Sequence, residues 1–170
     1  MKRGSKRASR SSRSTHFDAR GRARMVDVGA KPATVREAIA RGRIELSAEA
    51  LDAVVSGSAA KGDVLGVARI AGIQAAKRTA EWIPLSHPLP LDALEIDFAP
   101  ESTPPAIAIE ARARTTAKTG VEMEALVAVS AAALAIYDMC KSIDRGMVIS
   151  ALRLVRKTGG KSGTYVRPGG

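Results

Sequence analysis

Between Ala125 and Tyr137 this chain has a single polar side chain, Ser130, and the run is bracketed by Glu122 and Glu124 before it and Asp138 and Lys141 after it. A segment apolar on every side belongs inside a protein, so the pattern predicts a buried helix over Val121 to Lys141, with the rest of the fold wrapped around it. Its charges then mark the two places where the helix leaves the core. Carboxylates at the entry and a lysine at the exit also suit the helix dipole, so this pattern alone requires no function. The apolar run is interrupted by Ser130 and too short to span a bilayer.

The chain of 170 residues is long enough for one domain with a real core. Its formal charge of +10 suggests a nucleic-acid partner until the charge is located. Met1 to Arg24 hold nine Lys or Arg and one acid, Asp18, a net of +8; the remaining residues hold 18 bases and 16 acids. The basicity therefore belongs to the tail. Residues 1–14 lack any apolar run, so they are not a secretory signal and are expected to be disordered, with at most a weak, salt-sensitive hold on nucleic acid. Cys140 is the only cysteine, which excludes an internal disulfide and a multi-cysteine metal site. A soluble, cytoplasmic protein is the expectation.

The coarse pattern is mixed α and β. Met25–Val28 reads as a short strand. Thr34 to Leu46 carries two competing signals: Thr34-Val35-Arg36-Glu37 has the form of a helix capping box, whereas Ala38, Ala40, Ile44 and Leu46 share one face of an extended strand. Ser47 caps a helix with Leu51, Val54 and Val55 inward, closed at Gly57. Lys61-Gly62-Asp63 opens a second helix, Val64 to Thr79. Prolines exclude regular structure from Pro84 to Leu89. Leu94, Ile96 and Phe98 mark one strand, Ile107 to Arg114 another, with a loop from Ala99 to Pro105 between them. A last strand, Met147 to Val155, follows the long helix, and Thr158 to Gly163 is expected to be flexible. Strands joined by helices and hairpins give an α+β sandwich. Gly159-Gly160-Lys161-Ser162 lacks the upstream glycine and the following helix of a P-loop.

Chemistry-bearing side chains are few. His87 is the only histidine outside the tail, in a rigid proline-bounded loop. With one His and one Cys, a zinc site is discounted. Asp138 and Lys141 stand three apart and share a helix face, and burial at the end of an apolar helix would desolvate the pair and tune it for proton transfer. An ordinary surface ion pair is the alternative.

Several motifs run in register. Lys61-Gly62-Asp63-Val64, then Ala68 through Thr79, then Ile83-Pro84-Leu85-Ser86-His87-Pro88-Leu89 resemble the molybdenum cofactor biosynthesis protein C (MoaC) family, the cyclic pyranopterin monophosphate synthases. So do Lys118-Thr119-Gly120-Val121-Glu122-Met123-Glu124-Ala125-Leu126, Tyr137-Asp138-Met139-Cys140-Lys141 and Gly159-Gly160-Lys161-Ser162-Gly163. The likeness covers about Thr15 to Gly163. It implies a catalytic domain over residues 15–163, between the basic tail and a flexible C-terminal tail of residues 164–170.

The resemblance also implies a ferredoxin-like α+β subunit in a homohexamer, a trimer of dimers, with its site near a subunit interface. The implied reaction is a lyase step of molybdenum cofactor biosynthesis. A cyclised dihydroguanosine triphosphate, (8S)-3',8-cyclo-7,8-dihydroguanosine 5'-triphosphate, is rearranged to cyclic pyranopterin monophosphate, and pyrophosphate leaves. Carried over motif by motif, Asp138, Lys141 and Lys61 form the acid–base group. Leu85, Ser86, His87, Met123 and Glu124 line the substrate pocket with Glu122 beside them, and Arg36 and Lys157 stand near the triphosphate. Ring opening and reclosure call for several proton transfers, and closing a cyclic phosphate calls for cations around the leaving pyrophosphate. No resident cofactor or metal ligand set is expected; magnesium would enter only as company for the pyrophosphate.

Two readings from other classes stay open at this point: a small nucleic-acid-binding protein working through its tail, and a non-catalytic oligomeric module. Aromatic poverty, 3% of residues, disfavours a base-stacking surface. One constraint bears on the enzyme reading. Glu124 and Asp138 are fourteen residues apart, about 21 Å along a straight helix, longer than a nucleotide triphosphate. If both serve one pocket, neighbouring subunits must bring them together, so a composite site is expected. The tail is expected to be dispensable. Removing residues 1–14 should leave the melting temperature unchanged and abolish salt-sensitive retention on a polyanion matrix, both measurable on the purified chain.

Overall fold

The computed structural model describes residues 20–169; the basic tail of residues 1–14 and His16 lie outside the described residues. The elements follow in the order β1 (Thr34–Glu45), α1 (Ala48–Ser56), α2 (Val64–Ala76), the single turn α3 (Thr79–Trp82), β2 (Ala93–Ser102), β3 (Pro105–Ala117), α4 (Glu122–Cys140), β4 (Val148–Thr158) and β5 (Tyr165–Val166). They form one five-stranded sheet ordered β2-β3-β1-β4-β5, antiparallel throughout. The βαββαβ succession with β1 between β3 and β4 is the ferredoxin-like arrangement, so the expected α+β class holds.

The ambiguous segment at Thr34 is a strand, and the capping-box signal loses. β1 pairs along its whole length with β3, from Thr34 opposite Ala117 to Glu45 opposite Ala106, and with β4 on its other side. A cap contributes about 1 kcal/mol. Burying Ile44 alone, fully inaccessible here, contributes about 1.5–3 kcal/mol. Ala38, Ala40 and Ile44 are buried with Ile107, Ile109, Ala111 and Ala113 under α4.

α4 is the core helix the sequence requires. Eleven of its nineteen residues are buried. At nineteen residues the helix is longer than its apolar run, so the expectation that it is too short for a bilayer does not hold by length: among the described residues it is the one helix long and apolar enough to cross a membrane, but it is mostly buried inside the protein. Small residues set how closely it packs. A Cβ at Gly42 of β1 would overlap Val129 of α4, and one at Gly72 of α2 would come within 2.8 Å of the Ala128 main-chain oxygen. Glycine at these two positions lets α4 lie directly on the sheet on one side and against α2 on the other.

Other boundaries differ from expectation. Met25–Val28 forms no strand and runs as irregular chain. The predicted second helix stops at Ala76, where the Thr79 hydroxyl donates to the Ala76 carbonyl at 2.9 Å and the chain turns into α3. Val55, expected inward, is 61% exposed; α1 buries Ala50, Leu51 and Val54 instead. The Ala99–Pro105 loop shrinks to a tight turn, because β2 and β3 pair out to Ser102 opposite Pro105. β4 extends to Thr158, and β5, inside the segment read as a flexible C-terminal tail, pairs Tyr165 with Lys157 and Val166 with Arg156.

Candidate active site

The two ends of α4 carry two separate clusters. At its C-terminal end, Lys61 reaches in from the loop between α1 and α2, where a tight turn (Gly62 N–H to the Ala59 carbonyl, 2.9 Å) aims it. Its Nζ donates to the Asp138 main-chain oxygen at 2.7 Å and to Asp138 Oδ2 at 3.0 Å. Lys141 Nζ takes the other carboxylate oxygen, Oδ1, at 2.6 Å. Lys61 and Asp138 are 77 residues apart in the chain. The two ammonium groups, by hydrogen bonding from Lys141 first and Lys61 second, hold the Asp138 carboxyl below its ordinary range. The expected desolvation is not found in this chain. Asp138 and Lys141 side chains are 59% and 52% exposed, so paired lysines, not burial, govern this carboxylate.

At the N-terminal end, a cavity of about 420 Å³ is lined by Leu85, Ser86, His87, Glu122, Met123 and Glu124, all six expected at the pocket. Val26, Val28, Lys31, Ile83, Thr119 and Gly120 complete the wall. The proline-bounded loop supplies the first three of the expected residues and the first turn of α4 the others. His87 Nε2 lies 2.7 Å from the Val26 carbonyl. Glu124 is 3% exposed, and its carboxyl is raised from 4.5 to about 7. Burial is the main cause; a bond from its own main-chain N–H opposes the rise and the neighbouring charge of Glu122 adds to it. A carboxyl poised near neutrality beside an apolar wall is equipped to take or give a proton.

Arg36 and Lys157 stand at this same end of the sheet but outside the cavity wall. Arg36 donates from Nε to the Ala117 carbonyl (3.1 Å) and from Nη2 to the Lys118 carbonyl (3.2 Å). Lys157 Nζ closes the turn between β4 and β5 through the Ser162 hydroxyl and, at 2.7 Å, the Gly163 carbonyl. A Cβ at Gly160 in that turn would overlap Arg36 Nη1. The glycine-rich motif therefore folds over the Arg36 guanidinium. Of the wall residues that the sequence does not assign to the pocket, Ile83, Thr119 and Gly120 belong to the two motifs that carry the expected ones. Val26, Val28 and Lys31 carry no signal of their own.

Glu124 makes the protein's stability pH-dependent in a defined direction. Its folded-state pKa lies above its unfolded value, so between pH 4.5 and about 7 the unfolded chain gives up a proton that the native chain keeps. Stability then falls as pH rises through that window. Thermal melting at pH 5 and pH 8 should show this fall, and Glu124→Gln, which cannot ionise, should show a shallower one.

Comparison with known proteins establishes the family. The cyclic pyranopterin monophosphate synthase of Pelotomaculum thermopropionicum is 59% identical over 155 residues, 91% of each chain. That of Thermomicrobium roseum is 59% identical over 153 residues, 90% of this chain and 92% of its own. The enzyme of the same name from Novosphingobium aromaticivorans is 61% identical over 151 residues, 89% of this chain and 95% of its own. The MoaC family model matches residues 25–160, and the chain belongs to the MoaC family.

Proposed function

We propose that this chain is a cyclic pyranopterin monophosphate synthase, a lyase of molybdenum cofactor biosynthesis. The observation that carries the reading is the convergence of Lys61 and Lys141, far apart in sequence, on the two oxygens of one carboxylate. Asp138 is held anionic there, which makes it the group that orients two ammoniums, and the lysines the groups that move protons. The cavity around His87 and Glu124 receives the ring system. Its wall of Val26, Val28, Leu85 and Met123 faces a planar ring, and Glu124 and His87 serve the ring's exchanging protons. Lys31 in that wall, with Arg36 and Lys157 nearby, offers positive charge to the triphosphate as a substrate hydroxyl attacks the α-phosphorus and pyrophosphate departs. Magnesium would accompany the pyrophosphate without a dedicated ligand set, and no other cofactor is invoked.

A second copy joins the half-sites in this reading. Glu124, Ala131 and Asp138 recur every seven residues, so they lie on nearly one stripe of α4. A two-fold axis at Ala131 would bring Glu124 of one copy level with Asp138 of the other. Apolar side chains border that stripe in the open: Leu134 is 52% and Trp82 50% exposed, around a hollow of about 380 Å³ that includes Ala131. A separate exposed apolar set, Val148, Ile149, Leu152 and Val166, lies on β4 and β5. Two distinct faces are what a trimer of dimers needs, and a hexamer is the assembly proposed. The cytoplasm is the proposed compartment, without membrane attachment, and any nucleic-acid contact is confined to the basic tail.

The direct test incubates the purified protein with the cyclised nucleotide triphosphate and follows the pterin product and pyrophosphate. Lys61→Ala and Lys141→Ala should each remain folded, since both side chains are exposed, while turnover falls by roughly 10²–10⁴-fold. Near-normal turnover in both variants would remove the lysines from the mechanism.

A further inference from the structure

One wall of the His87 cavity is a strap of irregular chain, residues 25–31, which contributes Val26, Val28 and Lys31. Its own structure amounts to one turn: Lys31 N–H donates to the Val28 carbonyl at 3.0 Å, and Gly29 N–H donates to Asp27 Oδ1 at 2.8 Å. Two side chains from distant parts of the chain fasten it. His87 Nε2 donates to the Val26 carbonyl at 2.7 Å, and Lys118 Nζ donates to the Gly29 carbonyl at 2.6 Å. A carbonyl oxygen only accepts, so Nε2 must carry the ring hydrogen. In the neutral imidazole Nδ1 is then the one nitrogen able to accept a proton.

We propose that Lys118 is a positioning residue that acts on His87 through this strap. By holding Gly29 it keeps the Val26 carbonyl against the ring, and that carbonyl fixes His87 as the Nε2–H tautomer with Nδ1 as its basic atom. The lysine is itself well anchored. It stands just beyond the last residue of β3, and its main-chain carbonyl and that of Ala117 are both held by Arg36, whose guanidinium lies beneath Gly160. A chain of contacts thus runs from the glycine-rich turn through Arg36, Lys118 and the strap to the one histidine of the site. The strap supplies the His87 orienting group from main-chain atoms, so no side-chain motif announces it. The arrangement deepens the catalytic reading, which gives the His87 proton its purpose, but its geometry is independent of turnover.

The test reads the ring directly. In a His16→Asn background His87 is the only histidine, and ¹H–¹⁵N spectra of the imidazole without substrate report the Nε2 proton. The expected result is a resolved, slowly exchanging Nε2 proton in the parent. In Lys118→Met its exchange with water should accelerate by roughly tenfold or more, as when a protecting bond opens. Lys118→Arg, which restores a donor, should return the slow signal. Asp27→Ala loosens the turn in the strap without touching Lys118 and should change exchange in the same direction. An Nε2 proton as slow in Lys118→Met as in the parent, with the fold intact, would overturn the proposal. So would a parent ring whose Nε2 carries no proton. Turnover of the parent is measured separately, so failure of the catalytic reading and failure of the strap are distinguishable.

Discussion

The close seating of α4 on the sheet governs the rest of this structure. A helix with no polar side chain but Ser130 over its middle must be enclosed, and enclosure here relies on small residues: Gly42 beneath it, Gly72 beside it, and its own Ala125, Ala128 and Ala132 facing inward. Interiors this dense transmit any change in volume, so the position of α4 is narrowly fixed. With the helix fixed, Glu124 and Asp138 are held about 21 Å apart along its axis, at 1.5 Å per residue. Everything ionisable that α4 contributes lies at one end or the other. The separation of the two charged clusters is thus a direct consequence of the packing that makes the fold stable.

The two clusters differ in their physics, and each suits its proposed task. Glu124 is dry: burial raises its pKa toward neutrality, where a carboxyl both holds and releases a proton readily. Asp138 is wet: two lysines lower its pKa, so it remains an anion that arranges cations. A dry carboxyl and a carboxylate with two ammoniums are complementary acid–base sets. In one chain they face different surroundings, and the Asp138 cluster is open to solvent. In the proposed assembly a second copy laid along the Glu124–Ala131–Asp138 stripe would enclose that cluster and place it beside the cavity, supplying the desolvation that a single chain lacks.

What the residues disclosed in advance follows from how local each feature is. The buried helix is legible because its apolarity is continuous, whereas the pocket residues are legible only through the family resemblance that two contiguous motifs, Leu85-Ser86-His87 and Glu122-Met123-Glu124, carry. Sequence alone leaves Thr34 to Leu46 undecided, since the choice between cap and strand rests on pairing with β3 and β4, which are distant in sequence. Met25–Val28 has the composition of a strand, but a few residues cannot report whether a sheet has a place for them. The strap's use is invisible to sequence reading for a further reason: its working atoms are the carbonyls of Val26 and Gly29, and a carbonyl has no residue identity. The exposure of Asp138 is not written in its helix, because solvent access at a helix end depends on what covers it.

In the proposed assembly each chain holds two half-sites, and a working site needs both ends of α4 from different copies. The most direct measurement mixes Glu124→Gln with Asp138→Asn, each inactive alone, under conditions where subunit exchange is shown independently. Turnover of the cyclised nucleotide should return in part, because some pairings in the mixed assemblies unite an intact Glu124 with an intact Asp138. Exchange without any recovered turnover would place both residues in the site of one chain and contradict the composite arrangement.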